Sequence, residues 1–147
     1  AEMTDIIFDY NGTLDKYIGD AIMAVFGAPI ERDNDAERAI WAALEMRRRL
    51  FQLMKAVESD RRFDIRLGIN SGKAVAGNLG SPRRMEYTVI GDTVNVAARL
   101  ESIAKPNQIL IGEETWRLVR SKFNINEIGL KSVKGKSEPI RVFEVRD

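Results

Sequence analysis

Three short segments carry the residue types from which phosphate chemistry can be built. The first, Gly12-Thr13-Leu14-Asp15-Lys16-Tyr17-Ile18-Gly19-Asp20-Ala21, sets an aspartate at a glycine-containing turn. A carboxylate projecting from such a tip can hold a hard cation such as magnesium, which favours oxygen ligands and triphosphate oxygens. Lys16 can then meet a nucleobase or a phosphate. The same residues also read as a turn aspartate beside a solvent-facing strand lysine. The second segment, Glu86 to Leu100, holds Asn95 and Arg99 four residues apart. On a helix those two share a face, so an amide and a guanidinium stand side by side. That pair can hold a ribose and a phosphoryl group, because arginine donates two parallel hydrogen bonds to phosphate oxygens; it also fits an ordinary capped amphipathic helix. The third, Val133-Lys134-Gly135-Lys136, is a basic turn whose lysines can reach a triphosphate as point charges or simply face solvent.

Composition narrows the chemistry further. The chain contains neither histidine nor cysteine, which excludes thiol nucleophiles, imidazole bases, the Ser-His triad and ordinary zinc sites. Any catalysis must run on carboxylates, Lys, Arg and amides, with or without a bound cation. Lys plus Arg total 23 against 22 Asp plus Glu, so no global field holds the protein on nucleic acid or an acidic membrane, and an anion must be gripped by a local cluster. The glycine-rich stretches Gly68-Ile69-Asn70-Ser71-Gly72 and Gly77-Asn78-Leu79-Gly80 lack the spacing of phosphate-cradling loops. Arg83-Arg84, after Gly80-Ser81-Pro82, reads as a basic surface loop. No apolar run reaches the roughly 20 residues that span a bilayer, and the chain reads as soluble and cytoplasmic, whatever the attachment of a longer parent.

The elements that must position these residues alternate along a single domain of 147 residues. Met3, Ile6 and Ile7 fall at helical spacing, as in the last turns of a helix already under way. Thr13–Ile18 and Ala21–Phe26 predict a hairpin about Gly19-Asp20. A long helix follows, with Asn34 as N-cap, Glu37 three residues on, and Ala36, Ile40, Leu44, Leu50, Met54 and Val57 on one face. Asp64–Asn70 and Lys73–Leu79 predict a second hairpin turning at Ser71-Gly72, and Met85–Ile90 a further strand. A helix from Asp92 or Thr93 to about Lys105 ends before Pro106. Then come a short strand at Gln108–Ile111, a helix at Glu113–Arg120, and strands at Phe123–Ile128 and Ile140–Val145. The sum is an α+β domain with a mixed, mainly antiparallel sheet and helices packed on it.

In order and together, these segments resemble the catalytic domain of class III adenylyl and guanylyl cyclases. The resemblance covers Gly12 to Pro29, Ala36 to Met46, Leu67 to Glu101, Ile109 to Trp116 and Val133 to Val145, and rests chiefly on GTLDKYIGDAIMAVFGAP and RMEYTVIGDTVNVAARLE. It implies a ferredoxin-like, palm-type fold and head-to-tail homodimers with active sites at the interface. One subunit supplies metal-binding aspartates there; the other supplies base-recognition and transition-state residues. Asp20 matches the second metal aspartate of a two-metal Mg2+ or Mn2+ site. Lys16 and Thr88 match the pair that reads the purine, and Lys with Thr implies ATP. Asn95 matches the ribose-orienting amide, Arg99 the transition-state arginine, and Lys134 the triphosphate lysine.

One departure bears on activity. The family's first strand, which carries the first metal aspartate, has no counterpart in this sequence, and Asp5 and Asp9 are wrongly placed to replace it. The strand is expected to lie inside the sheet, so its absence is expected to bare strand edges and to leave this chain alone inactive or weakly active. Two other readings compete. One is a cyclase-like domain that only dimerises or senses nucleotide. The other is a haloacid-dehalogenase-type phosphatase, whose nucleophile and metal motifs Ile6 to Leu14 and Ile90-Gly91-Asp92-Thr93 look like. Against the latter, Asn11 takes the place of the general acid and Asn95 that of an expected carboxylate.

Overall fold

The computed structural model describes residues 2–28, 30–73, 75–79, 86–133, 135–136 and 138–147, with the side chains of residues 2, 75–79 and 86–90 left aside. The chain opens with helix α1 (Glu2–Asp9), whose Ile6 and Ile7 are buried. Asn11 adopts the left-handed conformation at φ 62°, and the Gly12 amide returns to the Ile7 carbonyl at 2.8 Å, closing the helix in the manner of a C-terminal cap. Strands β1 (Thr13–Ile18) and β2 (Ala21–Val25) then pair antiparallel, as the turn chemistry predicts.

Helix α2 (Asp35–Met54) follows. Asn34 stands at its N-cap position, but its side chain does not cap: Asn34 Oδ1 accepts from Arg38 Nε at 3.0 Å instead. The predicted capping box with Glu37 is therefore not formed. Arg38 is the reason. Its side chain is buried, donates to the Tyr10 carbonyl at 2.7 Å, pairs with Asp35 and lies 5.7 Å over the Phe26 ring. One guanidinium thus ties the end of α1, the start of α2 and the foot of the hairpin, and satisfies carbonyls that would otherwise lack a partner.

The remaining strands are β3 (Leu67–Ile69), β4 (Val75–Leu79), β5 (Glu86–Ile90), β6 (Ile109–Gly112), β7 (Asn124–Lys131) and β8 (Ile140–Arg146). Helices α3 (Asp92–Ile103) and α4 (Glu113–Val119) interleave with them. Among the described residues the strands form three groups: β1-β2, β4-β5, and a four-stranded sheet in the order β3-β6-β8-β7. The β3–β6 pair is parallel and every other pair antiparallel. The fold is α+β, mainly antiparallel. One expectation fails: β3 and β4 do not form a hairpin. The chain after β3 instead crosses to α3, where Asn70 Nδ2 donates to the Thr93 carbonyl at 3.2 Å and the Thr93 hydroxyl to the Lys73 carbonyl at 2.6 Å.

The main core lies between α2, α4 and the four-stranded sheet. Ile40, Ala43, Ile109, Ile111, Val119, Phe143 and Val145 pack there, and Phe143 stacks on Trp116 with ring centroids 4.6 Å apart. All four residues of β6 are buried, as expected of a strand covered on both faces. A second cluster joins Val96, Leu100 and Ala104 of the α3 region to Leu110 and Val142. Here β3 runs so close to α3 that a Cβ at Gly68 would stand 2.4 Å from the Ala97 carbonyl oxygen and the Glu101 amide nitrogen. Glycine is what permits that approach.

Candidate active site

The first group of candidate residues rides on the β1-β2 hairpin. Gly19 takes φ 60° in the turn, and Asp20 follows it, exposed. Beside the tip, Tyr17, Ile18 and Ile22 also face solvent. Lys16 pairs across the hairpin with Met23, and the register slips between Leu14 and Lys16, so that Asp15 is the extra residue of a β-bulge. The Lys16 side chain is 42% exposed, whereas that of Asp15 is wholly out of solvent, and Lys16 Nζ lies 3.5 Å from Asp15 Oδ2.

The second group belongs to α3. Val96 and Leu100 point into the core while Asn95 is exposed and Arg99 half-buried, which leaves the amide and the guanidinium on the outer face, one turn apart. The start of α3 has no side-chain cap. Its Asp92 instead pairs with Lys136 Nζ at 2.9 Å. That contact was not foreseen from the sequence, where Lys136 reads only as the second cation of a basic loop. It draws the loop before β8 onto the helix that carries Asn95 and Arg99.

Thr88 sits in β5 opposite Gly77 of β4; its side chain lies outside the described residues, as do Lys134, Arg83 and Arg84 altogether. Strand β5 packs against both β1 and α3, so it lies between the two groups. The structure thus brings Lys16 and Asp20 together on one hairpin and Asn95 and Arg99 together on one helix.

Two tests of chemistry follow. For a divalent cation, Asp20 offers one exposed carboxylate, and no cluster of three or more Asp or Glu that could hold a metal ion occurs among the described residues. The described side chains therefore supply one ligand and do not fit a cation pair by themselves. For the phosphatase reading, Asp9 would have to end a strand facing a site. It lies in the last turn of α1, and the chain continues into an antiparallel hairpin, which removes that reading. Among the described residues no helix is long and apolar enough to cross a membrane.

A hairpin bearing Lys16 and Asp20, a helix bearing Asn95 and Arg99, and a strand between them, all on an α+β frame, define a palm-type nucleotide-cyclase domain. Comparison with known proteins agrees. Residues 3–145 match the family described as adenylate and guanylate cyclase catalytic domain, and the chain belongs to that family. It is 31% identical to Adenylate cyclase 1 of Rhizobium meliloti over 97% of its own length and 22% of that protein's. Among solved structures, it superposes on the adenylyl cyclase CyaB from P. aeruginosa with a TM-score of 0.92 at 37% identity, covering 99% of this chain and 77% of that one. The guanylyl cyclase Cya2 gives 0.90 at 33%, covering 98% and 74%. The fold is that of the cyclase catalytic domains.

Proposed function

We propose that this domain converts ATP to 3′,5′-cyclic AMP and pyrophosphate in the cytoplasm, in a cleft shared by two copies of the chain. The observation that carries the reading is the division of the candidate residues into two groups, the hairpin with exposed Lys16 and Asp20 and the outer α3 face with exposed Asn95 and half-buried Arg99, with β5 touching both elements. In this reading each cleft takes Asp20 from one copy and Lys16, Thr88, Asn95, Arg99 and Lys134 from the other.

The reaction is an in-line displacement. The ribose 3′ oxygen loses its proton and bonds to the α-phosphorus as the bond from that phosphorus to the pyrophosphate oxygen breaks. Little of this needs an imidazole or a thiol, because positioning and charge stabilisation supply most of the catalysis in such transfers. Asn95 holds the ribose so that the 3′ oxygen faces the phosphorus. Arg99 spreads two donors over the oxygens on which charge builds, and Lys134 holds the triphosphate. Lys16 and Thr88 read the purine. Asp20 would supply one oxygen ligand to a divalent cation, Mg2+ or Mn2+, whose contribution when bound would be to offset triphosphate charge. The choice of ATP rests on Lys16 with Thr88, since the similar solved structures include both adenylyl and guanylyl cyclases.

A second reading, a domain that binds nucleotide without turning it over, is favoured by the single carboxylate described at the hairpin tip. One assay separates the two. Turnover of ATP and GTP is measured with Mg2+ or Mn2+, with and without an N-terminal extension carrying the family's first strand. Cyclic AMP formed by the extended protein is the expected result. Nucleotide binding with no cyclic product even then supports the second reading, and a preference for GTP refutes the role given to Lys16 and Thr88.

A further inference from the structure

The carboxylate of Asp15 takes no part in the function proposed above, yet its environment is unusual. Both oxygens are buried and neither accepts a hydrogen bond from any described residue, and the side chain is 0% exposed. A carboxylate withdrawn from water without donors is costly to keep. One cation stands beside it, Lys16 Nζ at 3.5 Å. The β-bulge explains how they meet. In a regular strand, neighbouring side chains point to opposite faces; the slip between Leu14 and Lys16 lets residues 15 and 16 approach on one side. The arrangement is asymmetric, since Asp15 is sealed while 42% of the Lys16 side chain stays open to solvent. The buried carboxylate therefore attracts the ammonium by charge from behind without taking a hydrogen bond from it, which leaves the donors of the ammonium available to a ligand.

We propose that Asp15 is a positioning residue that fixes the direction in which Lys16 presents its ammonium to the purine. This rests on the reading of Lys16 as a base-recognition residue. A lysine on its own is a flexible point charge that donates to a ring nitrogen of adenine or to the 6-oxo group of guanine alike. Held by Asp15, it samples fewer directions, loses less entropy on binding, and can favour one base over the other. Asp15 itself touches no substrate.

The test is a double-mutant cycle on binding in the intact protein, with Mg2+ present. The probes are 3′-deoxy-ATP and 3′-deoxy-GTP, which lack the attacking hydroxyl and so bind without turnover. Asp15→Asn keeps the shape and removes the charge. It is expected to weaken 3′-deoxy-ATP binding about tenfold and to narrow the preference over 3′-deoxy-GTP. Lys16→Met weakens it at least as much, and the double variant is no worse than Lys16→Met alone, because Asp15 acts through Lys16. Additive losses, or binding and base preference unchanged in Asp15→Asn, overturn the proposal while leaving the reading of Lys16 intact. No effect of Lys16→Met refutes that reading and the proposal with it. Should Asp15→Asn not fold, the thermal midpoint of Lys16→Met decides: loss of this neighbouring cation is expected to lower it by several degrees, and an unchanged midpoint overturns the proposal.

Discussion

The four-stranded sheet with α2 and α4 and the β1-β2 hairpin differ in what they do with burial. Around Phe143 the groups shut away from water are mainly apolar: Ile109, Ile111, Val142 and Val145 are at most marginally exposed, and the rings of Trp116 and Phe143 lie nearly parallel, 5° apart. On the hairpin the pattern is inverted. Tyr17 and Ile18 are 61% and 59% exposed, while the carboxylate of Asp15 on the same strand is buried. Exposing apolar side chains while burying a carboxylate works against stability; such inversions mark surfaces that meet a ligand or a partner. On the function proposed above, the sheet half holds the fold and the hairpin half the chemistry.

The largest effect that sharpens this contrast is in the core. Phe143→Ala removes a ring buried to 1% exposure and stacked on Trp116. It is expected to cost about 3 to 5 kcal/mol of unfolding free energy, read from the midpoint of urea denaturation. If the loss were small, the sheet half would not be the stabilising half. Arg99→Ala tests the proposed chemistry, on the face of α3. Arg99 lies on the outer face of α3 and the core face is left intact, so the urea midpoint should hardly move. Cyclase turnover should fall by about a hundred- to a thousandfold, the cost of removing one transition-state donor. A fall in stability matching the loss of turnover would erase the distinction between the two regions.

Gly68→Ala comes next, because it strikes where the four-stranded sheet meets α3. The added methyl meets backbone atoms of Ala97 and Glu101 that cannot rotate away. Helix α3 must shift, at a cost of about 1 to 3 kcal/mol. Since Asn95 and Arg99 ride on α3, turnover should fall more than the lost stability alone explains. Parallel denaturation and activity curves for this variant make the measurement.

These residues also show what sequence reasoning can and cannot see. The hairpin, both long helices and the final strands were legible because their signals are local: Gly19-Asp20 at a turn, Ile40 and Leu50 at helical spacing, Pro106 after a helix. Asn95 and Arg99 were legible as a pair for the same reason. What escaped depends on partners distant in the chain. Ser71-Gly72 looks like a hairpin turn, but Asn70 and Lys73 are claimed by Thr93 more than twenty residues on in one case and twenty in the other. Asn34 looks like a cap, but Arg38 must satisfy the carbonyl of Tyr10 and takes the Asn34 oxygen on the way. Asp15 looks exposed in any strict two-residue alternation with Tyr17, and only the bulge turns it inward.

The smallest expected effect concerns the loop that α3 recruits. Asp92 and Lys136 are 67% and 34% exposed and 2.9 Å apart, so the pair is screened by solvent and contributes within about 1 kcal/mol to stability. Lys136→Ala should leave the urea midpoint nearly unchanged. Its consequence is expected in function, because Lys134, the proposed triphosphate lysine, comes two residues earlier in the sequence. KM for ATP should rise severalfold with kcat little altered, and the effect should shrink as salt is raised, because wild type then loses the same ion pair to screening. A kcat loss with unchanged KM would show instead that Lys136 acts through the face of α3 that carries Arg99, and the loop would then belong with the transition-state residues and not with substrate binding.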